Sequence, residues 1–91
     1  LVEFKNFQKL EDLVLDHNRL KSVHPLIGYL ESLRLLDLSF NQLVTVPKQI
    51  GWLDKSLRKL LLNNNQIKML PGDFTYLNPA IRLELDQNPL D

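Results

Sequence analysis

Leucines recur at every second position in four short runs along the chain. Leu13 and Leu15, Leu36 and Leu38, Leu60 and Leu62, and Leu83 and Leu85 flank Val14, Asp37, Leu61 and Glu84. That period of two is the signature of a strand with one buried face. A residue three before each run is also apolar: Leu10, Leu33, Leu57 and Ala80. Three residues after each run stands an asparagine, Asn18, Asn41, Asn65 or Asn88, and two further on another apolar residue, Leu20, Leu43, Ile67 or Leu90. Between the runs the spacing changes. Ile27/Leu30, Ile50/Leu53 and Phe74/Leu77 lie three apart, which predicts a short helical or 3₁₀ turn with one inward face. The predicted order is strand, sharp turn, helical turn, repeated.

The four asparagines are separated by 23, 24 and 23 residues. Such a period makes the chain a solenoid of stacked coils, in which no coil buries its apolar face alone. The runs then lie side by side in a parallel sheet, about 4.8 Å apart. The asparagines turn the chain after each strand. A carboxamide donates and accepts, so a stack of them satisfies backbone groups that a buried turn leaves unpaired. Pro47 and Pro71 suit the first position of the helical turns, where no N–H is required. His24 stands in their place in the first copy and is read as structural or solvated. Gly28 and Gly51 share a slot where close packing of neighbouring turns is expected. Asp54-Lys55-Ser56 has one residue more than Glu31-Ser32, which predicts an outward bulge with no shift of the next strand.

The segment LEDLVLDHNRL and its three copies, LRLLDLSFNQL, LRKLLLNNNQI and AIRLELDQNPL, fit L-x-x-L-x-L-x-x-N-x-L, with Ala80 and Ile67 as the only apolar variants. With the V-P-K-Q-I-G-W-L and L-P-G-D-F-T-Y-L segments between them, the chain resembles the leucine-rich-repeat family over essentially its whole length. The form is similar to the 23-residue subclass of intracellular Ras-associated and plant proteins. The resemblance implies an α/β solenoid with a concave parallel sheet of about four strands and convex loops or short 3₁₀ or α turns. Repeats start at residues 10, 33, 57 and 80, after a partial repeat over 1–9 in which Phe4 and Phe7 match Ile27 and Leu30. The chain starts mid-repeat and neither end shows a polar cap, so it is expected to be a window of a longer solenoid. Open ends of that kind predict end-to-end self-association or contact with the rest of a parent protein.

Composition narrows the function. The 91 residues carry 11 basic and 11 acidic side chains, a balance that argues against a nucleic-acid partner. The absence of cysteine excludes disulfides, thiolate metal sites and cysteine nucleophiles. No apolar run reaches the ~20 residues that span a bilayer. With no Asn-x-Ser/Thr acceptor and no leader-like opening, a cytoplasmic location is expected. No cofactor is expected.

Members of the resembled family bind proteins through the concave sheet, which points to its outward columns. These read Asp12, Leu35, Lys59, Arg82; then Val14, Asp37, Leu61, Glu84; then Asp16, Ser39, Asn63, Asp86; then His17, Phe40, Asn64, Gln87. Val14, Leu35, Phe40 and Leu61 are apolar on a face expected to be wet, which predicts a protein contact patch. Phe40 is the expected anchor, since aromatic residues dominate binding hot spots. Asp16 and Asp37 among the first strands, against Lys59 and Arg82 on the last, predict a dipolar surface that orients a protein partner.

Other chemistry is weaker. Asp16, His17 and Ser39 are the residue types of a hydrolase, but a flat sheet offers no oxyanion hole and no closed pocket. Asp12, Asp16 and Asp37 lack calcium-loop spacing. Arg34, Lys55, Arg58 and Lys59 form a small basic spot, read as a solvated flank. Tyr29, Trp52 and Tyr76 share a convex slot, read as partly buried against neighbouring coils. The expectation is a non-enzymatic interaction module of an intracellular signalling scaffold. The alternative is a spacer segment with no site of its own, which a Phe40→Asp variant would separate from it.

Overall fold

The computed structural model describes residues 7–91. Phe4, aligned above with Ile27, lies outside them. Strands β1 (Asp12–Val14), β2 (Leu35–Asp37), β3 (Lys59–Leu61) and β4 (Arg82–Glu84) form one four-stranded sheet in the order β1-β2-β3-β4. Every pairing is parallel, with Leu13, Leu36, Leu60 and Leu83 in one register row. The ladder runs past the strands: Leu15 N–H donates to Asp37 O, Leu38 N–H to Leu61 O and Leu62 N–H to Glu84 O. Three 3₁₀ segments, Pro25–Tyr29, Lys48–Leu53 and Gly72–Tyr76, form the opposite wall among the described residues.

The leucines of the period-two runs fill the space between sheet and 3₁₀ wall. Leu36, Leu38, Leu60 and Leu62 are fully buried, as are Leu33, Leu43, Ile50, Leu57 and Ile67. Burying one such side chain contributes roughly 1.5–3 kcal/mol, so these two central coils hold most of the apolar stabilisation. Phe7, matched above with the buried Leu30, is instead half-exposed.

The glycine slot works as expected. A Cβ on Gly28 would meet Gln49 O at 2.7 Å, and one on Gly51 would overlap Asp73 O. Each glycine therefore receives the backbone of the next 3₁₀ segment, and any side chain would push the coils apart. The prolines differ from expectation. Pro47 and Pro71 are the residues before their 3₁₀ segments, at φ −70°, ψ 142° and φ −60°, ψ 144°. Extended backbone at that point turns the chain into the wall. Only Pro25 occupies the first 3₁₀ position. His24 replaces proline as the capping residue there, and its Nδ1 accepts from Leu26 N–H at 3.1 Å.

The extra residue near 54–56 is absorbed without disturbing the sheet. Leu33 N–H bonds back to Leu30 O, whereas Leu57 N–H bonds to Leu53 O, one residue further. A 3₁₀-type closure becomes an α-type closure, and β2 still pairs in register with β3. Arg58 fastens the bulge: its Nη1 donates to Leu57 O at 2.9 Å and its Nη2 to Lys55 O at 3.1 Å.

Candidate functional site

The asparagine turns set the rim of the concave face. Asn65 Nδ2 donates to Leu62 O in its own coil and to Leu38 O in the preceding one, both at 3.0 Å, while its Oδ1 accepts from Leu43 N–H at 3.0 Å. Asn41 does the same with Leu38 O, Leu15 O and Leu20 N–H, and Asn88 with Leu85 O, Leu62 O and Ile67 N–H. Asn41 and Asn65 are buried. Asn18 is exposed and bonds Leu15 O and Asp16 O of its own coil.

Gathering those carbonyls forces the residue before each asparagine into left-handed backbone. His17, Phe40, Asn64 and Gln87 have φ of 56°, 56°, 60° and 60°. Of these types asparagine tolerates the conformation best, and a bulky side chain there is strained by of order 1 kcal/mol or more. The strain belongs to the repeat, yet it holds Phe40 upright on the rim, 44% exposed. The Phe40 ring stacks on His17, centroids 4.3 Å apart and planes 10° from parallel. His17 Nδ1 in turn meets Asp16 Oδ2 at 2.7 Å. The anchor is thus a three-residue unit spanning two coils, and not an isolated ring.

The sheet corrects two further expectations. Val14 is 53% exposed, but Leu35 and Leu61 are only partly so. The register sets Asp37 directly between Val14 and Leu61, with Leu35 opposite Lys59. The apolar residues therefore zigzag diagonally around a carboxylate and do not form an unbroken row. Asp37 Oδ1 accepts from Ser39 Oγ at 2.6 Å and from Ser39 N–H at 3.1 Å. Ser39 Oγ is thus committed to Asp37; His17 and Ser39 meet only through their backbones, His17 N–H donating to Ser39 O at 3.1 Å, so their side chains do not assemble the hydrolase arrangement considered above.

The dipolar charge pattern also changes. Arg82 binds Glu84 at 2.7 Å through Nη2 and Nε on the same strand face, which neutralises much of the basic end. Asp12, Asp16, Asp37, Glu84 and Asp86 face the concave side against only Lys59 and Arg82. Among the described residues the surface is acidic along its length, with Lys59 as its one cation outside an ion pair. Asn63, expected in the same outward column as Ser39, is only partly exposed. Its Oδ1 is buried with no hydrogen-bond partner. Ser39 uses the Asp37 carboxylate two residues before it, whereas the residue two before Asn63 is Leu61.

Comparison with known proteins agrees with this geometry. A family model described as Leucine Rich Repeat matches residues 32–53 and 56–77. The chain belongs to the leucine-rich-repeat family. It is 39% identical over 93 residues to human lumican, a match covering 99% of the chain and 27% of lumican. It is 40% identical over 73 residues to a leucine-rich repeat and calponin homology domain-containing protein of Drosophila melanogaster, covering 79% of the chain and 9% of that protein. A probable serine/threonine-protein kinase of Dictyostelium discoideum is 36% identical over 84 residues, covering 87% of the chain and 3% of that protein. The chain thus spans about a quarter or less of these relatives. What they share with it is the repeat, a fold that generally serves non-enzymatic protein interaction. Among the described residues, no helix is long and apolar enough to cross a membrane. Nor do three His, Asp or Glu side chains among them converge as a metal site would require.

Proposed function

We propose that this leucine-rich-repeat segment binds a protein partner through the concave face of β1 to β3, as part of a longer intracellular scaffold. The observation that carries the reading is the Asp16–His17–Phe40 unit. An aromatic ring stands exposed on strained backbone, braced by a second ring, beside Val14 and a field of carboxylates. A ring held in place binds at little entropic cost, and the carboxylates favour a partner rich in Lys or Arg. The 23-residue spacing supports the Ras-associated or plant-like subclass, and with it a cytoplasmic, signalling setting. The incomplete burial of Leu13, Leu15, Leu83 and Leu85 supports the reading of the segment as part of a longer solenoid.

The test is selection of peptides from a random display library against the chain, followed by hydrogen exchange on the complex. Basic sequences should be enriched, with protection over residues 12–17, 35–40 and 59–64. Phe40→Ala should weaken binding ~10-fold or more, mainly through faster dissociation. Asp37→Asn should slow association and flatten its salt dependence. Because Asp37 also holds Ser39, the exposed Asp12→Asn is the cleaner charge test. Protection near Trp52 and Tyr76, with an unprotected sheet, would refute the concave reading.

A further inference from the structure

The one-residue insertion builds a second surface, away from the concave face. Three depressions share Lys55, and Asp54, Ser56 and Arg58 each line two of them. One of them, about 290 Å³, is lined by Glu11, Ser32, Arg34, Lys55, Ser56 and Arg58. Lys59, grouped with these cations by sequence proximity, is not there; it stands on the concave sheet opposite Leu35.

The depression is rich in donors. The Ser32 and Ser56 hydroxyls, the Arg34 guanidinium and the Lys55 ammonium have no side-chain partner among the described residues, in a protein where Arg82 is ion-paired. Arg58 is already oriented, because carbonyls of the bulge hold one edge of its guanidinium. Arg34 and Arg58 lie one above the other on adjacent coils, linked by Arg58 N–H to Arg34 O at 2.8 Å. Three cations and two hydroxyls face a single carboxylate, Glu11.

We infer that this depression is a binding site for a phosphomonoester, carried on a serine or threonine side chain of a partner. A phosphoryl group offers about two negative charges and three acceptor oxygens. It can therefore use two guanidinium groups, an ammonium and two hydroxyls together, which a carboxylate cannot. The neighbouring groove, about 580 Å³, favours a peptide as the carrier. It shares Lys55 and Ser56 and presents the exposed rings of Tyr29 and Trp52. These rings meet edge to face with centroids 6.1 Å apart, so a residue flanking the phosphate has an apolar surface to cover. A lipid surface is disfavoured, because membrane-binding patches need about four to eight clustered cations and this one is bordered by Glu11, Glu31 and Asp54.

The test is amide-resolved NMR titration of the whole chain. The probe is a short Ala-Phe-Ser-Ala peptide with its serine phosphorylated, unmodified or replaced by Glu. Inorganic phosphate and vesicles of phosphatidylcholine with phosphatidylserine serve as separate arms. The phosphopeptide should give saturable shifts at Ser32, Arg34, Ser56 and Arg58. The unmodified and Glu peptides should bind at least ~10-fold more weakly, the equivalent of losing about 1.4 kcal/mol. The Arg34→Gln/Lys55→Gln double variant should lose the site with an unchanged melting temperature, since neither side chain bonds the fold. Glu11→Gln should tighten binding severalfold, which no purely structural role for these residues explains. Equal affinity for the Glu peptide would overturn the phosphoryl assignment. Inorganic phosphate binding as tightly as the phosphopeptide would reassign the site to a free anion, and vesicle binding abolished by the same double variant would reassign it to lipid. Shifts spread evenly over Lys9, Lys21, Lys48 and Lys68 would leave no site at all. None of these outcomes bears on the concave face, which lies on other residues.

Discussion

The inner and outer coils carry the same letters and have different physics. Leu36, Leu38, Leu60 and Leu62 are completely buried, while their equivalents Leu13, Leu15, Leu83 and Leu85 are only partly so. Asn65 bonds backbone of its own coil and of the coil before it, whereas Asn18 is exposed and bonds carbonyls of its own coil. A residue in a solenoid is stabilised by the coils that flank it, so an interior position gains two neighbours and an outer one gains a single neighbour. The letters of a repeat therefore do not set what each copy is worth.

The largest difference should appear in the core. Leu60→Ala should destabilise by ~3–5 kcal/mol, the range for a fully buried leucine whose surroundings cannot collapse. Leu83→Ala should cost less than half of that, measured by urea denaturation of both variants. Equal costs would mean that the outer coil is packed as tightly as the inner ones.

Next comes the asparagine ladder. Asn65→Ala removes the partner of several buried backbone groups and should cost ~1–3 kcal/mol. Asn41→Ala belongs in the same range, but Asn18→Ala should cost less than ~1 kcal/mol, because water can replace its bonds. Thermal melts of the three variants give the ranking, and a neutral Asn41→Ala would remove the ladder from the account of stability.

The glycines sharpen the comparison on the convex wall. A methyl on Gly51 meets the Asp73 backbone, whereas one on Gly72 meets nothing within 4 Å. Gly51→Ala should therefore destabilise by ~1–3 kcal/mol through overpacking. Gly72→Ala should be neutral or stabilise by ~0.4–1 kcal/mol, by restricting the unfolded chain. The smallest effect is expected at Asn63. Asn63→Ala removes a buried acceptor that has no partner, so it should be neutral or stabilising by up to ~1 kcal/mol. A loss of stability there would show that the carboxamide packs better than its missing bond suggests.

Much of the fold was legible because the repeat prints it several times. The alternation of Leu36 and Leu38, the asparagine three residues on, and the Ile50/Leu53 spacing each predict one element and agree with the others. The site was legible only as columns. That Phe40 follows His17 in the same slot of the next coil is visible in the letters, but their stacking depends on left-handed backbone at both residues. Asp37 between Val14 and Leu61 could be read from the register, yet its bond to Ser39 could not. Likewise, Glu84 two residues after Arg82 has the spacing of two neighbours on one strand face, and its ion pair cancels the dipole that the bare charges suggest.

The sequence by itself determined the coil: its period, its inward leucines, its turn asparagines and the glycines that let one turn rest on the next. These are local or nearest-neighbour requirements, met by residue type at fixed spacing. Only the tertiary structure decided which copies are buried, which charges are free and what the extra residue at 54–56 builds. Those depend on side chains from different coils meeting at one place, as Arg34, Lys55 and Arg58 do on the flank. No spacing within one repeat encodes that meeting, because the distance between coils is set by packing and not by position along the chain.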